Sequence, residues 1–155
     1  MSKSLKRVTA ALQAAGLDIT PIEIGDATTA QMAADLVGCD IAQIAKSIMF
    51  RGETSGAALL FVTSGANRVC DTRASTLADE PLGKADAALI RAQTGFAIGG
   101  VSPLGHLIAP RAFFDPHLLT FPQVWAAAGT PRHLFGIDPR DLLRLSGGDL
   151  ADFTT

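Results

Sequence analysis

Apolar residues recur at three- and four-residue steps from the start of the chain. Leu5, Val8, Leu12 and Ala15 fall on one face, and Gly16 is placed to end the helix in the left-handed region, so the spacing predicts an amphipathic helix from Ser4 to Gly16. Pro21-Ile22-Glu23-Ile24 reads as a short extended piece. Thr28 or Thr29 then caps a helix presenting Met32, Ala33, Leu36 and Val37, and Asp40 caps a further short turn. Lys46 to Phe50 and the apolar run 57–63, separated by Gly52 and Gly56, predict a hairpin of two largely buried strands with a polar loop. Asn67 to Cys70 reads as a strand edge. Asp71 opens a helix through Leu77 that Pro81-Leu82-Gly83 ends, and Asp86 caps another over 87–93.

The stretch from Thr94 to His106 fits no regular element, because glycines and a proline interrupt its apolar pieces. Beyond it, 107–109 and 112–114 read as short strands and Asp115-Pro116 as a turn. The segment 124–128 is ambiguous in propensity; Gly129-Thr130-Pro131 and the following Leu134 to Ile137 favour a strand hairpin there. Asp138-Pro139 starts a helix carrying Leu142, Leu143 and Leu145, which Gly147-Gly148 stops.

At 155 residues the chain has the size of one domain spanning 1–155, large enough to bury a core without staples. No apolar run approaches the roughly 20 residues that cross a bilayer, and the basic start lacks the rest of a signal peptide, so the expectation is a cytoplasmic protein with no membrane partner. Cys39 and Cys70 stand far apart and read as reduced, buried thiols. A net charge of −2 and the absence of Tyr argue against a long grip on phosphate backbone, while leaving room for contact with the tip of a nucleic acid.

Several chemistries fail on inspection. Gly100 to Gly105 has the glycine spacing of a phosphate loop, but His106 and Leu107 replace its Lys and hydroxyl. Ser102 lacks the second glycine of a nucleophile elbow, and Pro103 removes an N–H from any oxyanion hole. His106, His117 and His133 have no metal-ligand spacing, so no metal and no cofactor is expected. Lys46 is different: it heads an apolar strand, where its ammonium must find a partner or snorkel to water.

Taken together, Ala33-Ala34, Leu36-Val37-Gly38, Gln43-Ile44-Ala45-Lys46-Ser47, the run from Thr94 to His106 and the late Asp138-Pro139 with Asp141-Leu142 resemble the YbaK/prolyl-tRNA-synthetase-associated editing-domain family. The resemblance extends from about Leu5 to Asp152. It implies an α+β fold with a curved, mostly antiparallel sheet forming a partly open barrel surrounded by helices. It also implies a freestanding, ProX-like deacylase that hydrolyses the ester of mischarged tRNA, often tRNA-Pro, acting at the CCA end with prolyl-tRNA synthetase or another synthetase as a possible associate. The family's lysine falls on Lys46, and its Gly-x-x-x-Pro loop on Gly99 and Pro103.

An aminoacyl ester is already activated, so such an enzyme needs mainly to hold the carbonyl and position a water. Lys46, Gly99 and Gly100 are the expected catalytic residues: the lysine pairs with a phosphate or polarises the ester, and the glycines bring backbone N–H groups close. Val101, Ser102, Pro103, Gly105 and His106 of the loop, with Thr29, Asp115 and His133, are the expected substrate contacts. Pro103 stiffens the loop, whereas Ser102 and His106 either orient the ribose hydroxyl or brace the loop. Asp115 and His133 are expected to line the mouth, and Arg68, Arg73, Arg111 and Arg132 are candidate contacts for tRNA phosphates. Ala, Ser, Thr and 2-aminobutyrate all suit the reading. A module that binds aminoacyl-tRNA or a synthetase without hydrolysis is the rival, and the intact Lys46 and loop favour the enzyme.

Overall fold

Alternation in the central hairpin organises the molecule, whose computed structural model describes residues 2–155. Strands β2 (Ala45–Gly52) and β3 (Ala58–Ser64) pair antiparallel with Lys46 opposite Thr63 and Met49 opposite Leu60. One face, including Ala45, Met49, Leu60 and Val62, enters the larger apolar core with Leu5, Val8 and Leu12 of α1 (Lys3–Ala14). The other, with Ile48, Phe50, Leu59 and Phe61, packs against α3 (Asp71–Ala78) and Phe153. Every residue of β3 is buried, whereas β2 is half-buried along most of its length.

The fold is α+β, as expected, but the strands form two sheets and do not close. The larger sheet has the order β4-β2-β3-β5-β8, and the smaller is β1-β7-β6, where β1 is Ile22–Glu23, β4 Leu82–Lys84, β5 Arg111–Phe114, β6 Val124–Ala127, β7 His133–Ile137 and β8 Gly148–Leu150. Four of the six strand pairings are antiparallel; β3-β5 and β5-β8 are parallel. A parallel bridge between Ile44 and Trp125 joins the sheets.

The helix starts follow their caps. Thr29 accepts from Met32 N at the head of α2 (Ala30–Val37), Asp86 from Leu89 N at α4 (Ala87–Thr94), and Asp138 from Arg140 N at α5 (Pro139–Ser146). Asp40 forms a full capping box with Gln43 over the 3-10 turn Ile41–Gln43. The 124–137 hairpin is a strand pair, as read.

Several expectations fail locally. Met32 and Leu36 are exposed, because α2 packs through Ala33 and Ala34, whose small side chains permit close approach. The helix opened by Asp71 ends at Ala78, ahead of Pro81-Leu82-Gly83, but Leu82–Lys84 then adds an edge strand that the sequence did not predict, completing pairing at the far end of β2. The segment 107–109 is no strand: Leu107 N and Ile108 N donate to Thr94 O and Gln93 O, folding the chain back on the end of α4 with both side chains exposed. Asp115-Pro116 opens a 3-10 helix, and the chain after Gly147 continues as β8 beside β5. Cys39 and Cys70 are half-buried, since each sits beside a helix end at the periphery of the core. Among the described residues no helix is long and apolar enough to cross a membrane.

Candidate active site

Where the two sheets meet, β2, the start of α2 and the turn after α4 enclose a cleft of about 520 Å³, a size ordinary for small-molecule sites. Its walls are largely small and apolar: Ala27, Ala30, Ala33 and Ala127 with Ile44 and Leu134. Four of the expected residues line it, Lys46, Gly99, Val101 and Thr29, although they come from three separate parts of the chain.

Lys46 Nζ donates to Asn67 O at 2.7 Å, one of three available donors. Burial, followed by the Arg68 cation, holds this ammonium below lysine's ordinary range, with Asp115 pulling the other way. The lysine therefore neither snorkels freely nor forms an ion pair. Asp115 does not line the mouth. It is buried behind Lys46, where one oxygen accepts from Ser64 N and Asn67 Nδ2 and the other from His117 N, so it fixes the loop whose carbonyl receives the lysine.

The glycine pair divides its work differently from expectation. Ala97 to Gly100 is a tight turn in which Gly100 N donates to Ala97 O at 3.1 Å and Gly99 adopts φ +90°, the left-handed conformation a type II turn demands at its third position. Gly99 is exposed at the tip, and its N–H has no partner among the described residues. Gly100's N–H is spent within the turn, and Gly100 is buried against the chain: a Cβ there would stand 2.8 Å from Thr130 Cα and 3.1 Å from Gly129 O. Only Gly99 is free to meet a substrate with its N–H.

The rest of the loop braces. Ser102 is fully buried and its Oγ accepts from Leu104 N; Pro103 is buried too, and neither reaches the cleft. His106 bonds Ser102 O through Nε2 and stands edge-on to Phe96. Arg7, from the first helix, donates to Gly105 O at 2.7 Å and Thr94 O at 3.2 Å while lying over the Phe96 ring. Of the two roles left open for Ser102 and His106, the geometry fits the bracing one.

Burial, partly offset by the Ser102 hydrogen bond and reinforced by Arg7, lowers the His106 pKa below 6.5. The folded state therefore favours the neutral ring. Unfolded chains bind the extra proton first, so this contribution is complete above the unfolded histidine pKa and is lost as pH falls from there toward the folded value. The melting temperature is expected to drop as pH is lowered from 7 to about 5.5, a window above most carboxylate titrations. The drop should be smaller in His106→Gln; equal slopes in thermal melts of both proteins would refute it.

His133 also stands outside the cleft. Its Nδ1 lies 2.7 Å from Oγ1 of Thr130, which does line the wall, and its Nε2 is 3.9 Å from Glu23. The candidate arginines are mostly engaged: Arg73 with Asp152 and Thr154 O, Arg111 with Ala78 O and Leu77 O, Arg132 with Asp26. Arg68 is exposed beside Lys46, and Lys84, unmarked by any motif, adds a second lysine to the cleft. Among the described residues no cluster of His, Cys, Asp or Glu could hold a metal.

Sequence reasoning also missed Arg7, Asn67, Thr130 and Ser47. Arg7 and Asn67 act through contacts across the chain that no local pattern announces. Ser47 alternates onto the face of β2 that carries Ala45 and Met49, and a hydroxyl at that position was the available signal: its Oγ is buried with no hydrogen-bond partner among the described residues, an arrangement that costs roughly 1–3 kcal/mol.

Residues 25–145 match the family model of the aminoacyl-tRNA editing domain. The YwhH protein of Bacillus subtilis, itself uncharacterised, is 30% identical over 129 residues, covering 83% of this chain and 81% of the relative. A crystal structure described as that of a candidate trans-editing enzyme for prolyl tRNA synthetase is 44% identical with a TM-score of 0.92, covering 100% of this chain and 99% of the other. A structure from work on scaffold proteins that present linear epitopes is 43% identical over the same shares, also with a TM-score of 0.92.

Proposed function

Because the chain belongs to the aminoacyl-tRNA editing domain family, we propose that it is a cytoplasmic trans-editing deacylase hydrolysing the ester of tRNA mischarged with a small amino acid such as Ala, Ser, Thr or 2-aminobutyrate. tRNA-Pro is the favoured substrate, given the description of the structural neighbour. The observation that carries the reading is the meeting of Lys46 and the Gly99 turn in one cleft with alanine walls. Small, apolar walls leave room for a short aliphatic or hydroxylated side chain, and each methylene alters discrimination by only about 1–3 kcal/mol.

In the reaction a water oxygen attacks the ester carbonyl carbon. The bond to the ribose oxygen breaks, that oxygen takes a proton, and the free amino acid and the tRNA terminus leave. The unpaired N–H of Gly99 is available to the carbonyl oxygen as negative charge develops. Lys46 supplies positive charge to that oxygen or to the terminal phosphate, and the neighbouring ribose hydroxyl assists the water. Arg68 and Lys84 extend the positive charge toward the acceptor end.

Among the described residues, no histidine, cysteine or carboxylate lines the cleft. Among the cleft hydroxyls, Thr130 is the one that contacts an imidazole, which makes it the candidate for a covalent route. Direct attack by water predicts that Cys39→Ala, Cys70→Ala and Ser102→Ala retain deacylation and that rapid quench yields no acyl adduct on Thr130. The reading is tested by a panel of separately mischarged tRNAs presented to the purified protein. Turnover of small aminoacyl esters supports it; binding of those tRNAs without turnover supports the binding-module alternative.

A further inference from the structure

Resting on the deacylase reading, we infer that Ser47 and the free edge of β2 recognise the α-amino group of the aminoacyl ester. The backbone register places this edge. Gly52 N donates to Ala57 O and Gly65 N to Ile44 O, so the hydrogen-bonded pairs with β3 fall on even-numbered residues of β2, Lys46 with Thr63 among them. Ser47 therefore turns its backbone N–H and C=O away from β3. On that side, β4 pairs only with Phe50 to Gly52, and the bridge to the smaller sheet lies at Ile44. Ser47 falls in the gap between them, at the cleft.

The side chain points to the same site. Alternation sets Ser47 on the face of Ala45 and Met49, which pack with Ala85, Ile90 and Val101, and all five of these also line the cleft. Amid these apolar groups the Ser47 hydroxyl has no partner among the described residues. Native folds rarely leave such a group unsatisfied, so one placed at a cleft calls for a partner. The hydroxyl is shielded from solvent, so reaching it requires a neighbour to shift; Met49, unbranched and adaptable, is suited to do so.

A primary ammonium carries three donors and no acceptor, and the hydroxyl and carbonyl of Ser47 are acceptors in a cleft without carboxylates. Lys46 lines the same cleft, but alternation starts its side chain from the other face of β2 and its ammonium is held by Asn67 O. The carbonyl oxygen is left to the Gly99 N–H and the amino group to Ser47.

The test compares alanyl-tRNA with lactyl-tRNA, the same ester carrying a hydroxyl in place of the amine, with uncatalysed hydrolysis subtracted. The native protein should prefer the alanyl ester at least about tenfold. Ser47→Ala should lose that preference through a slower alanyl reaction, with lactyl turnover nearly unchanged. Its thermal melt should hold or rise, because an unsatisfied buried hydroxyl has been removed. Alanyl turnover unchanged in Ser47→Ala, or both esters slowed equally, overturns the assignment while leaving the deacylase reading in place. If alanyl-tRNA is not turned over, the same amine-to-hydroxyl comparison is made on whichever small aminoacyl ester the panel shows to be hydrolysed, and a native protein that hydrolyses none of them overturns both.

Discussion

Replacing Lys46 by Ala is expected to slow deacylation at least about tenfold while leaving the melting temperature nearly unchanged. A hydrogen bond from a charged group contributes roughly 1.5–3 kcal/mol, and tenfold in rate corresponds to about 1.4 kcal/mol. The fold should tolerate the change because the lysine is half-buried at the end of β2 and its ammonium is tied to a single carbonyl. Lys46→Arg should not restore the rate, since a planar guanidinium cannot occupy the position of a compact ammonium against Asn67 O. Single-turnover deacylation, with a melt of each variant, decides the matter. Native-like turnover in Lys46→Ala would remove the residue from the mechanism.

The second large effect separates two adjacent glycines. Gly99→Ala meets open space but must hold φ near +90°, a strain of about 1–3 kcal/mol for a residue with a Cβ. Relief of that strain turns the free N–H away, so turnover should fall more than binding of tRNA carrying a non-hydrolysable amide-linked amino acid. Gly100→Ala drives a methyl group into the Thr130 backbone, which overpacks the site at a cost of about 1–3 kcal/mol. It should lower the melting temperature as well as the rate, because Thr130 and the turn must move apart. A Gly99→Ala protein with native turnover would confine that glycine to shaping the turn. If binding fell in proportion to turnover, the N–H would hold the ground state as strongly as the transition state.

These two glycines show where a sequence stops being informative. The spacing of Gly99 and Pro103 marks a special loop, and both glycines looked equally suited to meet a carbonyl. Which one keeps a free N–H depends on a turn closed by Ala97 O and on contact with Thr130, thirty positions further along. The same limit applies to Asp115 and His133, placed by expectation at the mouth and found one layer behind it, positioning Asn67 and contacting Thr130.

Local signals determined the helices, because caps such as Thr29, Asp86 and Asp138 act within three residues of themselves, and they determined the central hairpin, because its apolar strands and polar loop are continuous in the chain. They also marked Lys46 as anomalous, since a cation heading a buried strand conflicts with its neighbours. Only the tertiary structure decided the short strands β4 and β8, which have too few residues to show a period and exist because an edge of β2 or β5 accepts them. It likewise decided the split into two sheets and the cleft between them. The unpaired edge at Ser47 belongs to that second class: a strand's pairing gap is set by where its neighbours end, and its neighbours lie far away in sequence.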